Sequence, residues 1–156
     1  MLESRDESVG KWISTLDRYF QMFISRNLRK HAIGPGQLHF LMLLYQKDGV
    51  SQNELSQKLF VDKATAARAI QILEDVGYVK RIPCEKDRRK NLVYLTEKAI
   101  EIRNEIKNTL HKWTDLLTQN MAQEEKSILI LLLKKSTANA VHYINEDVPD
   151  ESKSRD

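Results

Sequence analysis

The chain has 156 residues, 41% hydrophobic and 30% charged, with a formal net charge of +3, which describes one helix-rich globular domain with room for a core. Its single cysteine excludes an internal disulfide framework and fits a reducing cytoplasm. The longest apolar run, Ile128 to Leu133, is far short of the roughly 20 residues of a membrane span, and from the polar, acidic MLESRDESVG no secretory signal is expected.

Residues 1 to 8 are expected to fray. From Val9 to Lys30 the pattern predicts an amphipathic helix with Trp12, Leu16, Tyr19, Phe20, Phe23 and Leu28 on its apolar side. Ile33-Gly34-Pro35-Gly36 breaks it, and Pro35 suits the first position of the next helix, Gln37 to Lys47. That helix is apolar almost all round (Leu38, Phe40, Leu41, Met42, Leu43, Leu44) and is expected to be the buried hub. Asp48-Gly49 ends it.

Ser51 and Glu54 have the spacing of a capping box, and Val50 and Leu55 that of a hydrophobic staple, so a short helix starts here and runs to Lys58 or Leu59. Asp62 is an N-cap for a second helix, Lys63 to Val76, closed by Gly77. Ala66, Ala69, Ile70, Leu73 and Val76 form its buried stripe. The opposite side carries Lys63, Ala64, Thr65, Ala67, Arg68 and Gln71, with no acid before Glu74. A short, donor-rich face without carboxylates fits a DNA major groove, where acids would meet phosphate repulsion. By itself it is equally the solvated face of an ordinary helix pair.

Tyr78 to Ile82 and Leu92 to Leu95 are short β-forming runs separated by Pro83-Cys84-Glu85-Lys86-Asp87-Arg88-Arg89-Lys90-Asn91, a hairpin with a long basic tip. Helix, turn, helix and cationic hairpin make a winged helix-turn-helix, whose tip can reach a minor groove or phosphates. Over Trp12 to Tyr143 the chain also resembles the MarR type (multiple antibiotic resistance regulators). The resemblance is carried by VDKATAARAIQILEDVGYVKR, by Asp87-Arg88-Arg89 in the wing, and by Leu95-Thr96-Glu97-Lys98. It departs at Cys84, where the family usually has a polar or acidic residue, and at Ala99, where a Gly often stands.

Thr96 is expected to cap a long helix to Asn120, with Ala99, Ile102, Ile106, Leu110, Trp113 and Leu117 in one stripe. A last helix, Gln123 to Ile144, carries Leu129, Leu133, Ser136, Ala140, Tyr143 and Ile144. Long helices at both ends expose more apolar surface than a small domain covers, so they pack either in one bundle or against a second copy; the resemblance favours a homodimer. The expected fold is mainly α with a small β-hairpin wing. Residues 32–95 form a winged helix-turn-helix DNA-binding lobe, 9–30 and 96–146 the dimerisation helices, and 147–156 a disordered tail, the whole chain 1–156 being of MarR type.

Between Ser51 and Leu95 nine Lys or Arg stand against six Asp or Glu, and the remainder carries sixteen of each, so the whole excess lies on the proposed lobe. Lys63, Ala64, Thr65, Arg68 and Gln71 are the base-reading candidates: Arg68 can fork to guanine and Gln71 can pair with adenine. Ser51 and Gln52 suit a phosphate. The resemblance implies Arg88 for a minor groove; Lys86 and Lys90 suit phosphates, while Asp87 and Arg89 brace the loop, Arg89 also counting among the DNA-binding cations. Each cation alone reads equally as a solvated surface charge.

The resemblance further implies a small aromatic or phenolic effector bound between dimer helices and lobe, where Trp12, Tyr19, His39 and Tyr45 are equally pocket or core. Cys84 is a passive wing residue or, in the alternative, a redox sensor through the neighbouring Lys86 and Arg88. His31, His39, His111 and His142 are scattered without metal-ligand spacing, and no cofactor is expected. No glycine-rich phosphate loop or nucleophile elbow suggests an enzyme. The rival reading is a winged helix used for protein contact, for which cations at Arg68 and at Arg88-Arg89 together would serve no purpose. The expected function is therefore a cytoplasmic, homodimeric, sequence-specific regulator of transcription, a ligand-responsive repressor. Its partner is a double-stranded, pseudo-palindromic operator with half-sites about one helical turn apart.

Overall fold

Ser8 starts the first helix, its hydroxyl accepting from the Lys11 amide at 3.3 Å, so the expected frayed start does not reach this residue. The computed structural model describes residues 8–146; residues 1–7 and the expected disordered tail lie outside them. In chain order come α1 (Val9–Asn27), a 3-10 turn (Arg29–His31), α2 (Pro35–Gln46), β1 (Val50–Ser51), α3 (Gln52–Lys58), α4 (Lys63–Asp75), β2 (Val79–Pro83), β3 (Asn91–Leu95), α5 (Glu97–Thr118) and α6 (Gln123–Glu146). The chain divides into two compact units, one ending at Trp113 and one beginning at Thr114.

In the first unit α2 is the hub that its composition predicts, with Leu38, Phe40, Leu41 and Leu44 buried. Pro35 opens it, and the Gly34 amide donates to Gln37 Oε1 at 3.1 Å. Around it pack Ile24 and Leu28 from the end of α1, Leu55 of α3, Ile70 and Leu73 of α4, Val93 of β3, and Ala99 and Ile106 of α5. α1 stops at Asn27 rather than Lys30, because the buried Leu28 leaves helical geometry and Ala32 turns left-handed at φ 54°. Only the second half of its apolar side is covered: Trp12, Leu16 and Tyr19 are exposed, while Phe20 and Phe23 pack on the core.

Ser51 caps α3 as its spacing predicts, its hydroxyl accepting from the Glu54 amide at 3.1 Å. Glu54 turns its carboxylate to Lys58 and Lys47 at 3.2 and 3.4 Å rather than back to Ser51. The staple residues Val50 and Leu55 are both buried. A strand at Val50–Ser51 is not expected from two residues, which are too few for any alternation. It pairs with β3 as Val50 opposite Val93 and Ser51 opposite Leu92. β2 joins the other edge of β3, from Val79 opposite Leu95 to Pro83 opposite Asn91, giving the antiparallel order β1-β3-β2.

Both helices of the helix-turn-helix end in the same hydrogen-bonded motif. After α4 the Tyr78 amide donates to Leu73 and the Gly77 amide to Glu74, with Gly77 at φ 82°. After α3 the Val61 amide donates to Ser56 and the Phe60 amide to Gln57, with Phe60 at φ 53°. The left-handed position suits glycine; a phenylalanine there carries strain, and the residue is 57% exposed. In the second unit α6 displays Ile128, Ile130, Leu131, Leu132 and Leu133 exposed in one run.

Gly77→Ala is therefore expected to lower the unfolding free energy by about 1–2 kcal/mol from the left-handed penalty alone, since a Cβ there meets only Lys98 Cδ at 3.8 Å. Phe60→Gly, its mirror, relieves the same penalty but adds unfolded-chain entropy, and is expected to change stability by less than about 1 kcal/mol in the favourable direction. Urea unfolding of the two variants measures both signs.

Candidate nucleic-acid interface

Pairing of Ser51 with Leu92 places the start of α3 beside the base of the wing. The result is a cleft of about 400 Å³ lined by Ser51, Gln52, Asn53, Lys63, Arg89, Lys90 and Asn91. It gathers five of the sequence-predicted residues, and its three cations face no acid in the lining. Ala64, Thr65, Arg68, Gln71, Lys86 and Arg88 lie outside it. The local reason is that α4 starts at Lys63 and carries its later residues away along the helix, whereas Lys90 and Arg89 sit where the wing returns to β3.

On α4 one short chain of hydrogen bonds organises the first turn. Asp62 accepts from the Thr65 amide at 2.8 Å and from the Thr65 hydroxyl at 2.6 Å. These donors hold the Asp62 carboxyl below its ordinary 3.8. Arg68 Nη2 in turn donates to Thr65 Oγ1 at 3.2 Å, leaving the exposed guanidinium tethered at one corner. Lys63 and Ala64 are exposed, and the Ala64 backbone amide also donates to the Asp62 carboxylate. Gln71 differs from the expectation of a free amide: its Nε2 donates to Asp75 at 2.8 Å and its Oε1 accepts from Arg81 at 2.8 Å.

The wing closes through the Cys84 amide on the Lys90 carbonyl at 2.8 Å and the Lys90 amide on the Asp87 carbonyl at 2.9 Å. The Asp87 carboxylate accepts from the Arg89 backbone amide at 3.1 Å and lies 3.9 Å from Lys90 Nζ. The Arg89 side chain is therefore not the brace and stays with the cleft. Lys86 and Arg88 are exposed, and Cys84 is half-buried. Among the described residues no group of three His, Cys, Asp or Glu is placed to hold a metal ion.

Sequence reasoning missed Arg81. Its guanidinium pairs with Glu74, donates to Gln71 Oε1, and reaches the Ala67 carbonyl at 3.4 Å, while its amide donates to Glu74 Oε1 at 3.2 Å. One side chain from β2 thus clamps the middle of α4. The signal was present in the alternation of β2, where Val79 is buried, Lys80 exposed and Arg81 half-buried, so Arg81 shares the inward face.

A second cavity, of about 550 Å³, opens between α1, α2 and the start of α4, lined by Phe20, Phe40, Leu59, Val61 and Ile72 and by the polar Asp17, Gln21, Gln37, His39, Thr65 and Arg68. Of the four aromatic candidates only His39 lines it. Trp12 and Tyr19 are exposed, and Tyr45 is held elsewhere by its hydroxyl on the Ala99 carbonyl at 2.6 Å. Burial lowers the His39 pKa from 6.5 against the opposing pull of Asp17, which favours a neutral imidazole.

A double-mutant cycle with Glu74→Gln and Arg81→Met is expected to give a coupling of about 1–3 kcal/mol in urea unfolding, because these partners are shielded and share several hydrogen bonds. A coupling near zero would mean the clamp is an ordinary surface pair.

The MarR family model matches residues 33–90. The HTH-type transcriptional regulator BilQ of Clostridium symbiosum is 33% identical over 116 residues, 74% of this chain and 81% of that protein. The crystal structure of a MarR transcriptional regulator from Methanosarcina mazei Go1 is 39% identical, covers 86% of this chain and 97% of its own, and superposes with a TM-score of 0.84. A MarR protein from Peptoclostridium difficile is 28% identical, with 90% and 92% covered and a TM-score of 0.83.

Proposed function

This chain belongs to the MarR family of transcriptional regulators, and on that premise we propose that it is a ligand-responsive repressor that binds a pseudo-palindromic operator as a homodimer. The observation that carries the DNA-binding reading is the acid-free cleft in which Lys63 of α4 meets Arg89 and Lys90 of the wing at the start of α3. A phosphate fits there, fixing register on the duplex without reading sequence. The same placement sets the exposed face of α4 toward the major groove, with Lys63, Ala64, Thr65 and Arg68 against base edges. Arg88 then enters the adjacent minor groove, and Lys86 joins Lys90 on the backbone. Gln71 reads a base only by giving up Asp75 and Arg81.

Exposed apolar residues support the homodimer: Trp12, Ile13 and Leu16 on α1, and the run from Ile128 to Leu133 on α6. Two copies double the basic footprint and give each half-site its own lobe. The cavity beside α4 supports a small aromatic or phenolic effector, which the Phe20 and Phe40 rings suit on one side and its polar side chains on the other. Thr65 and Arg68 belong both to that cavity and to the proposed groove-facing side. An occupant that draws Arg68 inward therefore opposes base contact, and the two ligands bind with negative coupling.

Selecting fragments of the source genome with the purified protein at two salt concentrations is expected to retain a palindromic site at the higher salt. On that site Arg68→Ala is expected to weaken binding about tenfold to hundredfold, equivalent to about 1–3 kcal/mol. Lys90→Ala is expected to weaken all sequences alike and to reduce the salt slope by about 0.9. Specific binding left unchanged by both Arg68→Ala and Arg88→Ala would overturn the assignment and revive the protein-contact reading.

A further inference from the structure

We propose that Asp75 and Arg81 are specificity-setting residues, which silence Gln71 and so leave the protein indifferent to one base pair of each half-site. This rests on the DNA-binding reading above and adds to it two residues that touch no base.

Ala64, Arg68 and Gln71 are spaced four and three residues apart, so they stand in one row along α4. Laid along a major groove, such a row sets Gln71 beside the base pair next to the one that Arg68 meets. The Gln71 carboxamide has the donor and the acceptor for a bidentate pair with adenine. Both ends are nonetheless held inside the protein. Nε2 donates to Asp75, one turn further on, and Oε1 accepts from Arg81 Nη1, each at 2.8 Å.

The hold is stronger than that of a casual surface contact. Both partners are ionised, and hydrogen bonds to ionised groups are about twice as strong as neutral ones. The charges also fix which way the carboxamide points, since turning it over would set its N–H groups against a guanidinium and its oxygen against a carboxylate. Arg81, moreover, is anchored without Gln71. Its Nη1 pairs with Glu74, its Nη2 reaches the Ala67 carbonyl at 3.4 Å, and its backbone amide donates to Glu74 Oε1 at 3.2 Å.

Asp75 does nothing for the helix that carries it. It is the last residue of α4, where a carboxylate opposes the helix dipole, and it is exposed. Gln71 covers that charge. Turning Gln71 to a base therefore breaks two hydrogen bonds and bares a carboxylate beside the DNA, and one adenine has to offset all of this.

The full chain, used to select from a DNA library randomised across the half-site, tests the proposal. Wild type is expected to favour adenine in the column beside that of Arg68 by no more than about twofold, below what one bidentate pair discriminates. Asp75→Ala frees Nε2 at an exposed position that suits alanine, and is expected to raise that preference to at least about fivefold, the low end for such a pair. The Arg68 column stays unchanged. A general gain in affinity from losing an acid lifts all sequences alike and leaves the ratio within the column unmoved. Arg81→Lys, which keeps a cation for Glu74 but loses the fork, is expected to give a gain of its own by freeing Oε1. Adding Gln71→Ala to either variant is expected to abolish the gain. The proposal is overturned if wild type already selects adenine there through Gln71, if neither variant gains a preference, or if the gain survives Gln71→Ala. Loss of every palindromic site in wild type and variants alike means that the DNA-binding reading has failed and takes the proposal with it; a retained site with an unmoved column sinks the proposal alone.

Discussion

Two backbone pairings, Val50 with Val93 and Ser51 with Leu92, hold the helix pair to the wing. They add to the Leu95 amide on Asp48 Oδ1 at 2.8 Å and to the core shared by Leu55 and Val93. With them, the residue that caps α3 is also the last residue of a strand, so Ser51 cannot move independently of Leu92. The cationic cleft is a consequence of that shared residue. Lys63, Arg89 and Lys90 come from elements far apart in sequence, and they meet because a two-residue strand closes the ring between them. Buried Val50 and Val93 keep the pairing dry, which preserves its hydrogen bonds from exchange with water.

Arg81 supplies the opposite brace. The strand pairing fixes the wing to the start of α3, and the Arg81 clamp fixes β2 to the middle of α4. Together they brace the relative angle of α4 and the hairpin at two separate points. In the proposed complex that angle decides whether Arg88 and Arg68 can engage adjacent grooves at once. A rigid angle reduces what binding must spend on ordering, and confines adaptation to the exposed side chains at the wing tip.

Much of this was legible in the residues. The buried stripe of α4, the hub character of α2, the cap at Ser51 and the glycine at position 77 follow from spacing and turn chemistry, and the structure places each as those rules imply except Val76, which is the half-buried C-cap of α4 rather than part of its buried stripe. The strand at Val50–Ser51 was not legible, because two residues carry no periodicity. Nor was the exposure of Trp12, Leu16 and Tyr19, since an apolar stripe reports that something covers it without saying whether the cover is in the same chain. The partners of Asp87 were missed for a related reason. Side chains of opposite charge suggest an ion pair, but the nearer donor in a tight loop was the backbone amide of Arg89.

Gln71 shows most clearly what residue type leaves undecided. Its carboxamide has the donor and acceptor that adenine demands, yet both are already in use, one on Asp75 and one on Arg81. Reading a base there exchanges two intramolecular hydrogen bonds for two intermolecular ones, and the net gain is the difference rather than the sum. Arg68 is tethered by one bond from a guanidinium with five donors, so it can add a base contact without surrendering what it has. On this account the two candidates are unequal. In the proposed complex Arg68 would carry most of the discrimination that α4 can provide, and Gln71 would contribute only on a sequence that also offers Arg81 or Asp75 a substitute partner.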